Sequence, residues 1–465
     1  MSTIVAGCEE RDLDEALAHC RPALVELEGA SILITGGTGF FGTWLLALLT
    51  HARHLLDLKL EVAVLTRDPE TFEGEQPWLT AQPFIRLIRG DVRYFEFPKG
   101  RFTHVVHAAT DTSAAADRDP AALIDSIVGG TRRVLDFAVA TGVTRLLYLS
   151  SGAVYGPPPD EADIDETHLG GCDPLDPRSA YGQAKRLAEQ MCICAATGTA
   201  IEPVIARVFA CVGPGLPLDG HFAIGNFIRD AVQGRSIAVT GDGRPLRSYL
   251  YVGDLVAWLV TLLVRGTPSN AYNVGSDDAI CIGDLAYRIS ALLPRAQGVD
   301  VKSGASSGAP RSRYVPVIEK ARRELALDVW TPLDEAIRRT AKHAEVGPPR
   351  SVVRPHANEH GEHLTFVVDV DGVVASLVPG NDYAQAEPLA ATIAAINRLH
   401  ARGHRIIMFT ARGSATGIDW SDLTRRQLEL WGLSFHDLQF GKPAADYYID
   451  DRLLSIDRLI ALARE

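Results

Sequence analysis

Short apolar runs alternate with longer amphipathic segments in two stretches of this chain. The first stretch, residues 31 to about 340, opens with SILIT and then FFGTWLLALLTHARHLL; the second opens near residue 364 with LTFVVDVDG. Continuous apolar runs are typical of strands buried on both faces, and the amphipathic segments between them predict covering helices. The pattern therefore predicts an α/β protein with a doubly wound parallel sheet and a second, smaller α/β domain.

The stretch between these two regions lacks hydrophobic periodicity. Residues 346–362, VGPPRSVVRPHANEHGE, are rich in proline, histidine and charge, which is typical of a linker. A chain of 465 residues also exceeds what one core usually holds. We predict a helical N-terminal extension (1–28), a large domain (29–345), the linker (346–362) and a small domain (363–465).

Composition and charge narrow the class of protein. A net charge of −12 argues against a broad surface for nucleic acid or anionic membranes. No apolar run approaches the roughly 20 residues of a membrane span, and the acidic start does not resemble a secretory signal. Seven scattered cysteines show no metal-ligand spacing and suit a reducing compartment. We expect a cytoplasmic protein with no nucleic-acid partner and no membrane span.

A glycine-rich loop follows the first predicted strand. Gly36, Gly39 and Gly42 form G-x-x-G-x-x-G between ILIT and the helix that begins with Phe40 and Phe41. Glycines permit a tight turn and a close backbone approach to a pyrophosphate, which the helix N-terminus then faces. We predict that these five residues bind a dinucleotide.

The end of the second strand bears on the choice between NAD and NADP. An acidic residue there would accept hydrogen bonds from the ribose hydroxyls. Thr66 occupies that position and Arg67 follows it, so the pattern favours NADP, with Arg67 on the 2′-phosphate. Asp91, after the third strand, is a candidate contact for the adenine amine.

A tyrosine and a lysine in YGQAK carry candidate acid/base chemistry. Tyr181 and Lys185 are four residues apart, so they share one face of a helix. A nearby ammonium stabilises the phenolate, which lets Tyr181 exchange a proton near neutral pH. Ser151, at the end of the strand RLLYLSS, is placed to hydrogen-bond the substrate oxygen during that transfer.

Residues 31 to about 340 resemble the extended short-chain dehydrogenase/reductase family, the NAD-dependent epimerase/dehydratase enzymes that act on nucleotide sugars. The shared motifs are TGGTGFFG, VVHAAT, SSGAVYG, PRSAYGQAKRLAE, IARVFACVGP, GDGRPLRSYLYVGDL and YNVGS. The resemblance implies a Rossmann-type fold with a nucleotide-sugar subdomain and a catalytic set of Ser151, Tyr181 and Lys185. It also implies that Arg247 and Arg313 contact the nucleotide diphosphate, and that the protein is a homodimer.

Two positions depart from part of that family. Its 4,6-dehydratases and glucuronate decarboxylases carry an acid between the catalytic Ser or Thr and VYG, where this chain has Gly152 and Ala153. Dehydration needs such an extra general acid. The sequence therefore favours a C4 epimerase or a 4-ketoreductase, with a dehydratase or decarboxylase as the alternative. Ala210 stands where many relatives have asparagine.

The small domain presents a second candidate site. Asp369 ends an apolar run and Asp371 follows at a two-residue spacing. One carboxylate can attack phosphorus while the other protonates the leaving oxygen, and Mg²⁺ would offset their repulsion. Further along, Thr410 and Lys442 are candidate phosphate ligands, and Asp450 is a candidate metal ligand.

The order D-x-D, Thr, Lys, DD over about 364–455 resembles the haloacid dehalogenase superfamily of phosphatases. The resemblance implies Asp369 as nucleophile, Asp371 as acid/base, and Mg²⁺ held by Asp369, by the Asp371 backbone carbonyl and by Asp450, with Asp451 as a further candidate. We therefore predict a bifunctional enzyme of surface-polysaccharide sugar synthesis that acts on a nucleotide sugar and on a phosphorylated sugar. The alternative is that one domain is a non-catalytic regulatory or assembly module.

Overall fold

The computed structural model describes residues 8–110, 119–156, 162–220, 222–301, 312–346, 365–376, 378, 382–412 and 420–440. The chain divides into two compact units, Met1–Val352 and Val353–Glu465. Their boundary falls within the predicted linker, most of which lies outside the described residues. None of the helices in the described part of the chain has the length and apolar character that a membrane crossing requires.

The first unit is built on a seven-stranded parallel sheet with the order β11-β6-β5-β4-β1-β2-β3. Its strands are β1 Ser31–Thr35, β2 Glu61–Thr66, β3 Ile85–Arg89, β4 His104–His107, β5 Arg145–Ser151, β6 Glu202–Val208 and β11 Asn270–Val274. The order grows outward in one direction from β1 to β3 and in the other from β4 onward. This is a Rossmann-type sheet, so a crevice is expected between the carboxyl ends of β1 and β4.

Helices cover both faces of this sheet. They are α1 Glu10–Val25, α2 Phe40–Leu56, α3 Pro69–Glu75, α4 Pro77–Thr80, α5 Pro120–Thr141, α6 Ala180–Ala196, α7 Ala223–Val232, α8 Val252–Arg265, α9 Ile282–Leu292, α10 Glu319–Leu325 and α11 Leu333–Val346. Along β1, Ile32 and Ile34 face the core that contains α1, α2 and α8, whereas Leu33 faces the core that contains α5 and α6. Burial on both sides explains why β1 is a continuous apolar run.

Local sequence signals fix where the helices begin and end. At the start of α5, Asp119 accepts a hydrogen bond from the Ala122 N–H, and Pro120 supplies a preset backbone angle. At its end, Gly142 adopts φ +72°, the left-handed conformation that terminates helices at low cost.

The N-terminal helix α1 belongs to the core of the first unit. Leu13, Leu17 and Leu24 are buried in the same cluster as residues of α2 and α8. On its other side, Arg339 of α11 binds the carboxylates of Asp12 (2.5 Å) and Glu15 (2.7 Å). The predicted N-terminal helix is therefore packed against α2 and α8 of the first unit.

Short strands lie beyond the main sheet. They are β7 Cys211–Val212, β8 Ile237–Val239, β9 Leu246–Arg247, β10 Leu250–Tyr251, β12 Ile280–Cys281, β13 Val299–Val301 and β14 Arg313–Tyr314. In the sheet β12-β9-β14, Tyr314 pairs directly with Arg247. This pairing brings two candidate substrate-binding segments together.

The second unit has a parallel sheet of three described strands in the order β15-β16-β17, with β15 Thr365–Asp369, β16 Arg405–Thr410 and β17 Asp437–Phe440. Helix α12, Ala390–Ala401, connects β15 to β16, and α13, Ser421–Leu430, connects β16 to β17. Their apolar faces meet the sheet in a separate core that includes Ile396, Met408 and Leu428. The expected α/β alternation is present, while a phosphatase function for this unit stays a prediction.

Candidate functional site

The loop after β1 is built for close backbone approach. Gly36 has φ +72°, and a Cβ atom there would lie 2.6 Å from the backbone of Ala108, which follows β4. A Cβ atom at Gly42 would lie 2.3 Å from the Gly36 carbonyl oxygen, whereas at Gly39 its nearest neighbour is 3.5 Å away. Gly36 and Gly42 thus have no room for a side chain, and the tight turn fits a dinucleotide pyrophosphate at the start of α2.

Phe40 and Phe41 form the first turn of α2, directly after this loop. Their ring centroids are 5.3 Å apart, and both rings pack partly buried against the core. They anchor the N-terminus of α2, whose free backbone N–H groups are those expected to face a phosphate.

A buried hydrogen-bond chain lies behind the loop. The Thr35 hydroxyl accepts from the Ala109 N–H (3.2 Å) and lies 2.7 Å from His107 Nδ1; His107 Nε2 lies 3.1 Å from the Thr131 hydroxyl, which donates to the Ile127 carbonyl. The Thr131 hydroxyl donates its only proton to the Ile127 carbonyl, so His107 Nε2 must donate to the Thr131 oxygen. His107 Nδ1 then accepts from the Thr35 hydroxyl. The motif VVHAAT contained this histidine, but its role was not foreseen.

The residues predicted to determine the preference for NAD or NADP lie at the end of β2, and the predicted adenine contact follows β3. Arg67 is exposed, and Thr66 is buried with its hydroxyl accepting from the Asp68 N–H. Arg93 donates to both carboxylate oxygens of Asp91 at 2.9 and 3.1 Å, and these hydrogen bonds hold the pKa of Asp91 below its ordinary value. Asp91 is therefore an ion-paired carboxylate after the end of β3.

Tyr181 and Lys185 share the face of α6 that meets the end of β5. Lys185 is only 3% exposed, and its Nζ donates to the Thr110 hydroxyl (2.7 Å) and the Leu149 carbonyl (2.8 Å). The ammonium lies 5.9 Å from the centroid of the Tyr181 ring. Burial lowers the pKa of Lys185 to about 7, partly offset by attraction to Glu189. The lysine is thus a buried cation whose hydrogen bonds go to neutral oxygens.

Ser151 is the last residue of β5, and its hydroxyl accepts a hydrogen bond from the Ala153 N–H at 3.2 Å. Burial raises the pKa of Tyr181, and a side-chain hydrogen bond with Ser151 opposes that rise. Ser151 opposes the burial-driven rise in the pKa of Tyr314 in the same way. The structure therefore brings Ser151, Tyr181 and Lys185 together, as expected, and adds Tyr314.

Gly152 follows Ser151 and has no space for a side chain. A Cβ atom there would lie 2.4 Å from the Tyr314 hydroxyl and 2.8 Å from the Phe209 ring. One of the two positions at which dehydratases and decarboxylases carry an acid is thus filled here by a neighbouring phenol.

A second buried hydrogen-bond network is centred on Glu189 of α6. The carboxylate of Glu189 accepts from the Ser150 hydroxyl (2.5 Å) and from the Arg207 guanidinium (2.7 Å). Arg207 also donates to the Tyr155 hydroxyl, which donates to Asn273 on β11. These bonds tie β5, β6, β11 and α6 together where the candidate catalytic side chains emerge.

The two arginines expected at the diphosphate differ in their partners. Arg247 is partly buried, donates to the neutral Leu246 carbonyl (2.7 Å), and lies 5.9 Å from the Tyr314 ring centroid. Burial lowers the pKa of Arg247. Arg313 is ion-paired with Asp163 at 2.5 Å. Arg247 is the better placed of the two to gain from an anionic ligand.

In the second unit, Asp369 and Thr410 end neighbouring parallel strands, where Asp369 pairs with Phe409. Asp371 lies in the turn after β15. The fully buried Arg412 donates to both Asp371 oxygens, Nε at 3.0 and 3.1 Å and Nη2 at 2.6 Å. Lys442, Asp450 and Asp451 lie outside the described residues.

Arg412 was not foreseen from the sequence. Its Nη1 donates to Gln427 (2.7 Å) and Thr424 (3.2 Å), and its guanidinium lies 4.6 Å from the Tyr383 ring centroid. Because this arginine is ion-paired with the Asp371 side chain, a cation held by Asp369 and the Asp371 backbone carbonyl would need further ligands from outside the described part of the chain. Within the described residues, no cluster of three metal-binding side chains occurs.

Comparison with known proteins agrees with the fold and the loop of the first unit. Residues 32–275 match the model of the NAD dependent epimerase/dehydratase family. UDP-glucuronic acid decarboxylase 1 of Xenopus tropicalis is 30% identical over 326 residues, which cover 68% of this chain and 72% of that protein. The chain therefore belongs to the NAD dependent epimerase/dehydratase family, and its first unit is a nucleotide-sugar epimerase, dehydratase or decarboxylase type of enzyme.

Solved structures share the fold of the first unit. An epimerase from Methanothermobacter thermautotrophicus superposes with a TM-score of 0.60 at 24% identity, covering 70% of this chain and 95% of that one. A dTDP-glucose 4,6-dehydratase from Streptomyces venezuelae, solved with NAD bound, superposes with a TM-score of 0.58 at 22% identity and covers 69% and 98%. The family match ends at residue 275 and does not extend to the second unit.

Proposed function

We propose that the first unit moves hydride to and from C4 of a nucleotide sugar without expelling another group. It would act as a C4 epimerase if it retains its cofactor, or as a 4-ketoreductase if it exchanges it. The observation that carries this proposal is the grouping of Ser151, Tyr181 and Lys185 beside a Gly152 that has no room for an acid.

The side chains divide the proton chemistry among them. Tyr181 takes the proton of the C4 hydroxyl, and the Lys185 ammonium stabilises the resulting phenolate. Ser151 forms a hydrogen bond with the oxygen of the C4 hydroxyl, and this bond keeps that oxygen next to Tyr181. A bound nicotinamide dinucleotide supplies the acceptor and donor of hydride at C4.

Two sets of residues hold the ligands in this proposal. Gly36, Gly39 and Gly42, with Phe40 and Phe41 behind them, hold the dinucleotide pyrophosphate at the start of α2. Arg247 and Arg313 contact the diphosphate of the sugar nucleotide, because a guanidinium fork matches phosphate oxygens.

A decarboxylase is the second candidate, because curated relatives are UDP-glucuronic acid decarboxylases. Oxidation at C4 of UDP-glucuronic acid creates a ketone β to the C6 carboxylate, and the C5–C6 bond can then break with release of CO₂. This route shares its first step with epimerisation. The lack of a carboxyl side chain at Gly152 and Ala153 argues against it.

The test is a panel of nucleotide sugars. The purified protein is incubated with UDP- and dTDP-hexoses, their 4-keto derivatives and UDP-glucuronic acid, with and without NADPH, and the products are identified by NMR. Interconversion of C4 epimers without added cofactor, or NADPH-dependent reduction of a 4-keto sugar, supports the proposal. Release of CO₂ with formation of a UDP-pentose replaces it with the decarboxylase.

For the second unit we propose a Mg²⁺-dependent sugar phosphatase. The Asp369 carboxylate would attack phosphorus as the bond to the sugar oxygen breaks. Asp371, once protonated and released from the Arg412 fork, would give that oxygen its proton, and water would then cleave the aspartyl phosphate. Thr410 and Lys442 bind phosphoryl oxygens, and Asp369, the Asp371 carbonyl and Asp450 hold the cation. The adjacent strand ends that carry Asp369 and Thr410 support this proposal.

Release of phosphate from p-nitrophenyl phosphate in the presence of Mg²⁺ tests this second activity. Asp369→Asn should abolish it, whereas the exposed Asp382→Asn should leave it unchanged. Activity that survives Asp369→Asn would overturn the assignment of the nucleophile. No release of phosphate by the wild-type protein would favour the non-catalytic module.

A further inference from the structure

We propose that Thr110 is a positioning residue that holds the Lys185 ammonium near Tyr181. This inference rests on the C4 oxidoreduction proposed above, in which that ammonium stabilises the Tyr181 phenolate. Thr110 ends the motif VVHAAT, three residues after the end of β4, and Lys185 lies on α6, 75 positions further along the chain. The contact between them is therefore made by the fold, and the motif alone did not reveal it.

Two oxygens of the protein hold the ammonium group of Lys185. Its Nζ donates to the Thr110 hydroxyl (2.7 Å) and to the Leu149 carbonyl (2.8 Å). The Thr110 hydroxyl donates its own proton to the Ala109 carbonyl (2.7 Å), so its oxygen is available to Lys185 as an acceptor. Because an ammonium can only donate, these two acceptors fix its orientation.

The backbone that leads to Thr110 is held against the loop after β1. The Ala108 N–H donates to the Thr35 carbonyl (3.0 Å), and the Ala109 N–H donates to the Thr35 hydroxyl (3.2 Å). Gly36 approaches the same segment so closely that a Cβ atom there would lie 2.6 Å from the Ala108 carbonyl. Thr110 therefore follows a segment with little freedom to move, which places its hydroxyl at a defined point.

The other close neighbours of the ammonium lie on β5. The Leu149 carbonyl belongs to that strand, and so does Tyr148, whose ring centroid is 4.9 Å from Nζ. The Tyr181 ring, on α6, is farther away, at 5.9 Å. Among the described residues, Thr110 is the hydrogen-bond partner of Lys185 that lies outside β5. Without the Thr110 hydroxyl, we expect the ammonium to settle toward Tyr148 and away from Tyr181.

Thr110 also favours the charged form of Lys185. Burial lowers the pKa of Lys185 to about 7, because a charge is costly away from water. A hydrogen bond accepted from the ammonium offsets part of that cost. Loss of the Thr110 hydroxyl should therefore lower the pKa of Lys185 further, so that less of the protein keeps the ammonium at neutral pH.

The charge change of Lys185 can be followed separately from its surroundings. The other titratable groups near the ammonium are His107 on β4, Tyr148 on β5, and Tyr181, Glu189 and Cys192 on α6. Burial lowers the pKa of His107 to about 3 and raises the pKa of Cys192 to about 12. Burial also raises the pKa of both tyrosines, and Glu189 is ion-paired with Arg207. A titration near neutral pH at this place is therefore that of Lys185.

A measurement without substrate tests the inference directly. The chain has only seven lysines, so full-length protein labelled with [¹³Cε]lysine gives few NMR signals, and Lys185→Met assigns the signal of Lys185. Thr110→Val keeps the shape of the side chain and removes its hydroxyl, and it should move the Lys185 titration about one pH unit lower. Thr110→Ser keeps the hydroxyl and should restore the wild-type midpoint. An unchanged midpoint in Thr110→Val overturns the inference, whatever the substrate proves to be.

The matched control is Thr141→Val. Thr141 is partly buried at the end of α5, and its hydroxyl donates to the Phe137 carbonyl (2.8 Å). Its loss should change neither the Lys185 titration nor the turnover. A shift as large as that of Thr110→Val would show that the contact with Lys185 is not the cause. If Thr110→Val lowers the melting temperature too far for the titration, Thr110→Ala replaces it, with the same expected shift.

Kinetics test the consequence for catalysis. The kcat of Thr110→Val should fall about tenfold above neutral pH and less below it, with the KM for the nucleotide sugar little changed. In a Lys185→Met background, the same substitution should have no further effect, because it acts through Lys185. A further tenfold loss in that background would overturn the positioning role in favour of direct contact with a ligand. If Lys185→Met itself leaves turnover unchanged, the proposed function fails instead, and the titration still decides whether Thr110 holds the ammonium.

Discussion

Among the described residues, one fully buried cationic side chain lies at the candidate site of each unit, Lys185 in the first and Arg412 in the second, and the two are held in different ways. In the first unit, the hydrogen bonds of Lys185 go to a hydroxyl and a carbonyl. In the second, Arg412 is fully buried and forms a fork with both oxygens of Asp371. Lys185 therefore has no hydrogen bond to a carboxylate in the described part of the chain, whereas Arg412 is ion-paired with one.

The buried charges of Lys185 and Arg412 therefore have different energetic consequences. A buried cation without a partner is costly, and it is stabilised whenever an anion forms beside it. In the proposed mechanism, the phenolate of Tyr181 would supply such an anion beside Lys185, and formation of the phenolate would offset part of the cost of burying the ammonium. Arg412 already has its anion, so it holds Asp371 in one orientation instead.

The largest effect is expected for the activity of Lys185→Met. Loss of the ammonium removes a cation that lies 5.9 Å from the Tyr181 ring centroid, so the phenolate is less stable and turnover of the nucleotide sugar should fall by roughly 10³-fold. The control is Lys320→Met, because Lys320 also donates to neutral oxygens, of Asn270 (3.0 Å) and Ala271 (2.8 Å), away from the site. Equal losses in the two variants would show that Lys185 has no special part in the chemistry.

For Arg412 the expected effect is on stability. Arg412→Met leaves the Asp371 carboxylate without its partner and should lower the free energy of unfolding of the full chain's second unit by roughly 3–5 kcal/mol in urea. The double variant Arg412→Met/Asp371→Asn should recover part of that loss. Disrupting the exposed Arg178–Asp176 pair should cost less than about 1 kcal/mol. A double variant no more stable than Arg412→Met would argue against the ion pair as the cause.

Removal of the Lys185 ammonium should change the free energy of unfolding in the opposite direction to removal of Arg412. Its pKa is about 7 in the folded protein and ordinarily 10.5, so the unfolded chain binds this proton more tightly. The cost of burying the charge is full below pH 7 and shrinks as the pH rises toward 10.5. Lys185→Met should therefore stabilise the protein by on the order of 2–4 kcal/mol at pH 7, and the gain should fade in alkaline solution. Thermal unfolding of both proteins across this pH range measures it; a destabilised variant at pH 7 contradicts the comparison.

The features that could be predicted from the sequence are those encoded locally. The alternation of apolar runs gave the parallel sheets, and the spacings of Gly36, Gly42, Tyr181 and Lys185 gave the loop and the shared helix face. Steric need at a glycine and periodicity on a helix act over a few residues, so a single stretch of chain shows them.

Features made by distant residues could not be predicted in this way. The bond between Thr35 and His107 joins positions 72 apart, and the Arg412–Asp371 pair joins positions 41 apart. The Tyr314 hydroxyl lies against Gly152, which is far earlier in the chain, and Tyr314 itself belongs to β14, which pairs with β9. Nothing in a local pattern specifies which polar side chain will meet which, because that depends on how the strands assemble.

The smallest effect is expected for a third cation, Arg67, which is exposed at the end of β2. Arg67→Ser should weaken NADPH binding only several-fold, because solvent screens an exposed charge. NADH binding should stay unchanged, because NADH has no 2′-phosphate for Arg67 to contact. The control is Arg86→Ser, which removes an exposed arginine from β3 and should alter neither affinity. Fluorescence titration of both cofactors gives the ratio. An equal loss for NADPH and NADH would mean that Arg67 does not contact the 2′-phosphate, and the preference for NADP would lose its support.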